Sequence, residues 1–154
     1  MNEWFELRRS AIQGVGAFAL KDIPRGTRLI EYVGEHISNG EADRRYPDND
    51  PNVRHHTFLF VLNKRVCIDA AFDGNEARFI NHSCQPNCQA KIGPGHIWIH
   101  STRRIPAGAE LTYDYEYDDD PEYTTEDLLL YACHCGSPNC RGTIVDTKKL
   151  LNAK

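Results

Sequence analysis

The stretch CHCGSPNC limits the possible folds more than any other part of the sequence. Its three thiols, Cys133, Cys135 and Cys140, fall within eight residues, and the glycine, proline and asparagine between them favour tight turns. Cysteines at this spacing can converge on one tetrahedral Zn²⁺, which needs four ligands in a closed site. His134 is a poor fourth ligand, because three consecutive side chains would then have to face one ion. The remote candidates are Cys67, Cys84 and Cys88. The alternative is a surface turn of reduced cysteines without metal.

The rest of the composition is typical of one compact globular domain. The chain has 154 residues, of which 40% are hydrophobic and 26% charged. The longest apolar runs, at 58–62 and 128–130, are too short to span a bilayer. Glu3 and Glu6 stand where a signal peptide would be basic and then apolar. We therefore expect an intracellular protein, in which clustered cysteines bind metal or catalyse rather than form disulfides.

Short apolar segments separated by turn residues predict a mainly β fold with little helix. Strands are expected at 14–20, 28–33, 56–62, 65–69 and 96–100. The third and fourth of these should pair across a turn at Asn63 and Lys64, and a second hairpin is expected around 93–95. Helices are expected only at about 41–46 and 126–131.

The stretch RFINHSCQPNC places His82 two residues before Cys84. Catalytic Cys/His pairs usually come together from distant sequence positions, so a cysteine hydrolase is disfavoured. The Phe-Ile pair predicts a buried segment, after which Asn81 and His82 offer hydrogen bonds to a bound molecule. A core histidine and a turn-forming asparagine, both satisfied by backbone groups, would explain the same residues.

The third motif is the tyrosine-rich stretch ELTYDYEY. Strand alternation would put Tyr113, Tyr115 and Tyr117 on one face, where they either line a channel or pack in the core. Tyr32 lies in the separate segment EYVGE, and the Gly-Val-Gly at 14–16 opens a strand where backbone can approach a ligand closely. Each of these features is weak when taken singly.

Taken together and in order, GVGAFAL, EYVGE, RFINHSCQPNC, ELTYDY and CHCGSPNCRG resemble the successive motifs of SET-domain protein lysine methyltransferases. The resemblance covers about residues 14–144 and includes the zinc-binding post-SET segment. It implies a mainly β fold of the β-clip type, with several small curved sheets around a pseudoknot and few short helices. It also implies a SET domain at 1–118, an acidic linker with a short helix at 119–132, and a post-SET zinc segment with a tail at 133–154.

The resemblance further implies S-adenosylmethionine and Zn²⁺ as cofactors. The reaction would be methyl transfer to the ε-amine of a lysine in a protein, with Tyr113 favouring mono- or dimethylation. The matching positions are Tyr115, Tyr113 and Tyr32 for catalysis and the lysine channel, Val15, Gly16, Phe58, Arg78, Asn81 and His82 for the cofactor, and Cys84, Cys133, Cys135 and Cys140 for zinc. Cys88 would then be a buried bystander.

Three positions depart from the family pattern. Val15 stands where Trp is more frequent, Phe58 where many members carry a cofactor-contacting Tyr, and Thr143 where a large aromatic residue often lies near the adenine. These changes bear on cofactor affinity more than on chemistry. The rival function is therefore a zinc-stapled peptide-binding module of the same fold with weak catalysis. A small zinc hydrolase is disfavoured, because four thiolates leave the metal no open position.

The expected partner is a lysine-containing and basic protein or peptide, such as a histone tail. The formal charge of −4 argues against direct nucleic-acid binding, and no membrane partner is expected. The acidic run at 118–122 either attracts such a basic tail or forms a solvated linker. Either a bacterial cytoplasm or the chromatin of a nucleus would suit this function.

Overall fold

The fold consists of short strands in small sheets, which confirms the mainly β class. The computed structural model describes residues 2–46, 58–115 and 132–144, and these ranges contain ten strands, one α-helix and one 3₁₀-helix. In chain order the elements are β1 Phe5–Arg9, β2 Val15–Ala19, β3 Arg28–Glu31, β4 Glu35–Ser38, α1 Asn39–Arg45, β5 Leu59–Val61, β6 Val66–Asp69, the 3₁₀-helix Glu76–Phe79, β7 Asn81–His82, β8 Cys88–Gly93, β9 His96–Ser101 and β10 Thr112–Tyr113.

The described strands pair in four separate sheets. β1 and β2 form an antiparallel pair, and two three-stranded antiparallel sheets have the orders β4-β6-β5 and β3-β9-β8. The fourth sheet is a parallel pair of β7 and β10. Parallel neighbours need a long connection, and here it includes the β8–β9 hairpin. Residues far apart in sequence therefore meet in this pair.

Both expected hairpins are present. Between β5 and β6, the side chain of Asn63 accepts hydrogen bonds from the N–H groups of Arg65 and Val66, at 2.8 and 2.9 Å. This Asn-centred turn fixes the start of β6. Between β8 and β9, Gly95 has a φ of 76°, a left-handed conformation that residues with a side chain rarely adopt.

The helix expected at 41–46 is present as α1, which begins two residues earlier. Ser38 caps it, because its Oγ accepts a hydrogen bond from the Glu41 N–H at 3.1 Å. In the last turn, Arg45 Nη1 donates to Oδ2 of the fully buried Asp69 at 3.1 Å. This charge-assisted bond holds α1 against β6.

The main core lies between the small sheets. Its members other than alanine are Phe5, Ile23, Leu29, Ile80, Cys88, Ile99, Ile105, Leu111 and Tyr113. Ile80 is 0% exposed and directly precedes β7, which confirms that the Phe-Ile pair leads into a buried segment. Burying one such side chain stabilises the fold by about 1.5–3 kcal/mol. The position of β7 is therefore fixed by the core.

Some expectations concern residues that the structure does not describe. The acidic run at 118–122, the helix at 126–131 and Tyr117 lie outside the described ranges. Within those ranges, no helix has the length and apolar character needed to cross a membrane.

Candidate active site and metal centre

The parallel pairing of β7 and β10 joins two motifs that are distant in sequence. Asn81 lies opposite Thr112, and His82 lies opposite Tyr113. Asn87 reinforces the pair, since its Oδ1 accepts a hydrogen bond from the Thr112 N–H at 2.9 Å. The NHS and TYD segments thus share one surface, as the family resemblance implies.

Aromatic rings form a continuous wall beside this pair, which we call the aromatic wall: Tyr32, Phe60, Tyr113 and Tyr115. The ring centroids of Tyr32 and Phe60 are 5.1 Å apart, and those of Tyr113 and Tyr115 are 4.9 Å apart. Phe60 stacks on Tyr113 at 6.1 Å, and both Tyr32 and Tyr113 are only 4% exposed. The sequence pattern did not single out Phe60. The available signal was its spacing from Phe58 in FLF, which puts both rings on one side of a strand.

Two phenol groups of the aromatic wall have oriented hydroxyls. The Tyr115 hydroxyl donates to the carbonyl of Ile80 at 2.7 Å, and the Tyr32 hydroxyl donates to the carbonyl of Phe58 at 2.7 Å. A phenol that donates its one proton can act toward any further group only as an acceptor. The wall therefore presents oriented oxygen acceptors within an apolar surrounding.

The strand expected at 110–117 is much shorter than predicted, because β10 ends at Tyr113. The backbone N–H of Tyr115 donates to Nδ1 of His82 at 3.0 Å instead of to a strand partner. Asp114 forms an ion pair with Arg141 of the cysteine segment, residues 132–144. These two side-chain contacts replace the ladder and end the strand, yet the two tyrosine rings remain neighbours.

Asn81 holds the glycine motif at the start of β2. Its Nδ2 donates to the carbonyls of Gln13 and Val15, at 3.1 and 3.2 Å. The same nitrogen lies 3.0 Å from Oε2 of Glu110, so its two N–H groups are shared among three acceptors. A Cβ on Gly16 would overlap the end of the Glu110 side chain, so the carboxylate would have to move to make room for it. Glu110 was not identified from the sequence, although it is the first residue of ELTYDY.

Phe58 and Arg78, also expected near the cofactor, form a second group. The guanidinium carbon of Arg78 lies 5.4 Å from the ring centroid of Phe58 and 4.7 Å from that of Phe79. Arg78 Nη1 donates to the carbonyl of Ala70 at 3.2 Å. Because the Phe58 carbonyl also receives the Tyr32 hydroxyl, this group is tied to the aromatic wall.

His82 lies between the aromatic wall and the cysteines. It is 3% exposed, and its ring packs edge-on against Tyr115 with centroids 5.3 Å apart. Its Nε2 is 3.5 Å from Sγ of Cys84. Burial lowers the pKa of His82 to about 4; Asp114 opposes this shift and Arg141 adds to it. The imidazole is therefore neutral near pH 7.

Four cysteines come together in a group that we call the thiol cluster. The Sγ atoms of Cys84, Cys133, Cys135 and Cys140 all lie within 4.8 Å of one another. Those of Cys84 and Cys133 are 3.7 Å apart, and all six cysteines of the chain are free of disulfides. Two thiolates bound to one tetrahedral Zn²⁺ at about 2.3 Å are separated by about 3.8 Å. The thiol cluster could therefore hold a metal ion.

Backbone N–H groups point at the sulfur atoms of the thiol cluster. The donor and acceptor pairs are Arg141 to Cys84, Cys135 to Cys133, and Gly142 to Cys140, each at 3.4 Å. Such donors stabilise the charged thiolate form, which is the form that binds metal. Burial acts in the opposite direction and raises the pKa of the Cys84 and Cys133 thiols, so the donors suit a site in which a metal stabilises the thiolates.

The other candidate ligands lie elsewhere. His134 is exposed. Cys67 is buried, and its Sγ donates to Oδ1 of Asn39 at 3.2 Å. Cys88 is buried next to Asn87, and burial raises the pKa of the Cys88 thiol to about 12. Among the described residues, Cys84 is thus the remote thiol that meets the CHCGSPNC stretch.

An ion pair joins the cysteine segment to the rest of the structure. Arg141 Nη1 and Nη2 donate to the two carboxylate oxygens of Asp114, at 2.8 and 3.2 Å. The side chain of Arg141 is 9% exposed, so solvent screens this bidentate pair only weakly. A β-bridge between Ala132 and Thr143 closes the segment on itself.

Comparison with known proteins decides the family. The sequence profile described as SET domain matches residues 14–116. The chain belongs to the SET-domain family. The SET match includes β7, β10 and every residue of the aromatic wall, whereas three of the four thiol-cluster cysteines lie beyond it.

Curated relatives match a larger share of the chain than the SET profile does. Histone-lysine N-methyltransferase 2D of Homo sapiens is 43% identical over 142 residues, which is 88% of this chain and 2% of that protein. "Histone-lysine N-methyltransferase, H3 lysine-4 specific" of Saccharomyces cerevisiae is 42% identical over 138 residues, 87% of this chain and 12% of that protein. Histone-lysine N-methyltransferase trithorax of Drosophila virilis is 41% identical over 137 residues, 86% of this chain and 3% of that protein. The chain therefore spans only a small part of the length of these relatives.

Proposed function

We propose that this chain transfers a methyl group from S-adenosylmethionine to the ε-amine of a lysine in a basic protein, such as a histone tail. The observation that carries the proposal is the β7–β10 pair, which puts Tyr115 and the aromatic wall beside Asn81 and His82. The names of the curated relatives support a histone substrate and a place at chromatin.

The lysine amine must lose its proton before it can attack. A lysine in water has a pKa of about 10.4 and is mostly charged at neutral pH. A channel lined by the aromatic wall would disfavour the charged amine by removing it from water. The same removal from water would exclude a competing nucleophile. Mostly buried rings such as those of Tyr32 and Tyr113 suit both tasks.

Tyr115 is proposed as the central catalytic residue. Its hydroxyl proton is directed to the Ile80 carbonyl, so its oxygen can accept a hydrogen bond from the neutral amine and orient the lone pair. Attack needs the reacting atoms at about 3–3.5 Å and in line, and this orientation supplies much of the rate enhancement. Tyr113 and Tyr32 are proposed as walls of the same channel.

The cofactor is proposed to lie against the glycine motif and the NHS segment. When bound, S-adenosylmethionine supplies the electrophilic methyl group on its sulfonium sulfur. Asn81 would fix the backbone of Val15 and Gly16 for close approach, because its amide already holds the Val15 carbonyl. Phe58 and Arg78 are proposed to flank the site from the side of the aromatic wall.

The thiol cluster is proposed to hold a structural Zn²⁺. Cys84, Cys133, Cys135 and Cys140 would supply four thiolates, which would leave the metal no open position for substrate. We assign the chain as a SET domain at 1–118, a linker at 119–132 and a post-SET zinc segment at 133–154. The metal would then fasten the last of these units to the first through Cys84.

The proposal is tested by cofactor titration followed by methyl transfer. Calorimetric titration of the full chain with S-adenosylmethionine should show saturable binding. Incubation with histones and mass spectrometry should then show mono- or dimethyl-lysine on a basic tail. Tyr115→Phe is the matched control, and it should keep cofactor binding while losing turnover. Absence of cofactor binding would reject the enzyme, and peptide binding without turnover would favour the peptide-binding module.

A further inference from the structure

We propose that the imidazole of His82 is a positioning group that couples the thiol cluster to the backbone of Tyr115. One ring nitrogen holds the Tyr115 backbone, and the other holds the sulfur of Cys84. The catalytic meaning of the coupling rests on the proposed function, because it matters to turnover only if Tyr115 is catalytic. The contacts of the ring do not depend on that assignment.

The first half of the coupling is the bond between Tyr115 and Nδ1. The Tyr115 N–H donates to this nitrogen at 3.0 Å. Because the backbone group brings its own proton, Nδ1 must be an unprotonated acceptor. Asp114 Oδ1 lies 3.6 Å from the same nitrogen, but Nδ1 has no proton to give it. Asp114 is instead held by Arg141 at 2.8 Å.

The second half of the coupling is the contact between Nε2 and Cys84. A neutral imidazole whose Nδ1 is an acceptor carries its proton on Nε2. Nε2 lies 3.5 Å from Sγ of Cys84, within reach of a hydrogen bond to sulfur. The ring therefore donates to the sulfur. In metal sites, donors of this kind orient the ligand and modulate its charge.

The ring of His82 therefore connects Cys84 directly to the backbone of Tyr115. The ring of His82 is 3% exposed and packed against Tyr115, so it has little room to adjust separately. A displacement of Cys84 should move the ring and with it the Tyr115 backbone. Since both ring nitrogens are engaged by protein groups, a contact between His82 and the cofactor would have to use the histidine backbone.

Two substitutions separate the halves of the link. In His82→Asn, the side-chain oxygen can replace Nδ1 and still accept from the Tyr115 N–H, but nothing reaches Cys84. In His82→Gln, the side-chain nitrogen can replace Nε2 and donate to Cys84, while the acceptor for Tyr115 is lost. Each full-length variant is assayed for zinc release to a chelator, cofactor affinity by calorimetry, and kcat and KM for methyl transfer.

The two variants should fail in opposite ways. His82→Asn should release zinc about ten- to hundredfold more readily, as expected for loss of an outer partner of a metal ligand, with a smaller loss of kcat. His82→Gln should retain zinc nearly as the wild type does, while its kcat falls by about 100-fold through misplacement of Tyr115. Cofactor affinity and KM should change little in either variant.

Other results would overturn the coupling. If zinc retention and kcat fell equally in both variants, His82 would be only a packing residue. If cofactor affinity fell in both, its side chain would be a cofactor contact. NMR of ¹⁵N-histidine-labelled wild type tests the geometry without any variant, because a proton on Nδ1 at neutral pH would contradict it. If the wild type shows no methyl transfer, the proposed function fails, while zinc release and NMR still decide whether the ring holds Cys84.

Discussion

The β body of the chain and its cysteine segment are held together by different forces. The body has a closed apolar core in which Ile99, Ile105 and Leu111 are almost completely buried. In the segment 132–144, Thr143 is the single buried residue. The segment relies on one β-bridge, the thiol cluster and one ion pair. Hydrophobic burial can therefore fold the body without metal, whereas the segment needs cross-links to stay in place.

The two regions nevertheless meet at the proposed active site. Cys84 belongs to the body but completes the thiol cluster, and Asp114 follows β10 but pairs with Arg141 of the segment. A region of weak intrinsic stability is thus fastened next to the residues that must be placed most accurately. Substitutions at Cys84 or at the Asp114–Arg141 pair should lower methyl transfer more than they lower the stability of the β body.

The largest effect is expected for Cys84→Ser. Loss of one ligand should abolish stoichiometric zinc binding. Methyl transfer should fall by at least about 100-fold, because the cysteine segment is then no longer held beside the proposed active site. Metal analysis and a radiometric methyl-transfer assay measure the two losses. The thermal unfolding midpoint of the body should change little.

Cys88→Ser is the matched control, because Cys88 is a buried thiol outside the cluster. It should keep zinc. The reverse pattern, with zinc kept in Cys84→Ser and lost in Cys88→Ser, would mean that the wrong cysteine has been assigned. If zinc removal unfolded the whole chain, the β body and the cysteine segment would not differ in their dependence on metal.

Tyr115→Phe should have the next largest effect, mainly on catalysis and not on zinc. It removes the hydroxyl that bonds Ile80, which costs about 1 kcal/mol of stability, and lowers kcat by about 100-fold. Zinc content should stay stoichiometric, since no thiol is touched. A loss of zinc in this variant would show that the aromatic wall and the thiol cluster cannot be perturbed separately.

Arg141→Lys should have an intermediate effect, on how firmly the cysteine segment and its zinc are held. Lysine keeps the charge but not the bidentate contact with Asp114, so zinc release to a chelator should quicken by about tenfold. Arg104→Lys is the control: its ion pair with Asp22 has side chains that are 66% and 57% exposed. Such an exposed pair contributes about 0–1 kcal/mol. Equal effects of the two changes would argue against a special role for the pair with Asp114.

The smallest change in rate is expected for Tyr113→Phe. Removing this hydroxyl leaves more room for a methylated amine to turn, so products should shift toward higher methylation while the total rate stays within about threefold. Mass spectrometry of the product peptide gives the ratio of mono-, di- and trimethyl-lysine. An unchanged ratio would remove Tyr113 from the control of product state.

Much of the fold was predictable because it depends on local pattern. Alternation and turn residues anticipated the β5–β6 and β8–β9 hairpins, and the helix expected at 41–46 is present as α1. The prediction was wrong for the strand at 110–117. After Tyr113, contacts with side chains replace pairing with a neighbouring strand. The His82 ring takes the Tyr115 N–H that a neighbouring strand would otherwise have taken. No local pattern reports such a contact.

The sequence by itself determined the mainly β class, the ordered motifs of the SET family and the need for a fourth ligand beside CHCGSPNC. Each of these depends on residue type and spacing along the chain. Residue spacing left Cys67, Cys84 and Cys88 open as that fourth ligand, the family resemblance implied Cys84, and the structure brings Cys84 to the cysteine segment. Only the tertiary structure placed Phe60 in the aromatic wall and put Glu110 against Gly16. The parallel pairing of β7 and β10 across a long connection likewise joins segments that are distant in sequence. Spacing along the chain does not specify which distant segments a shared core will bring together.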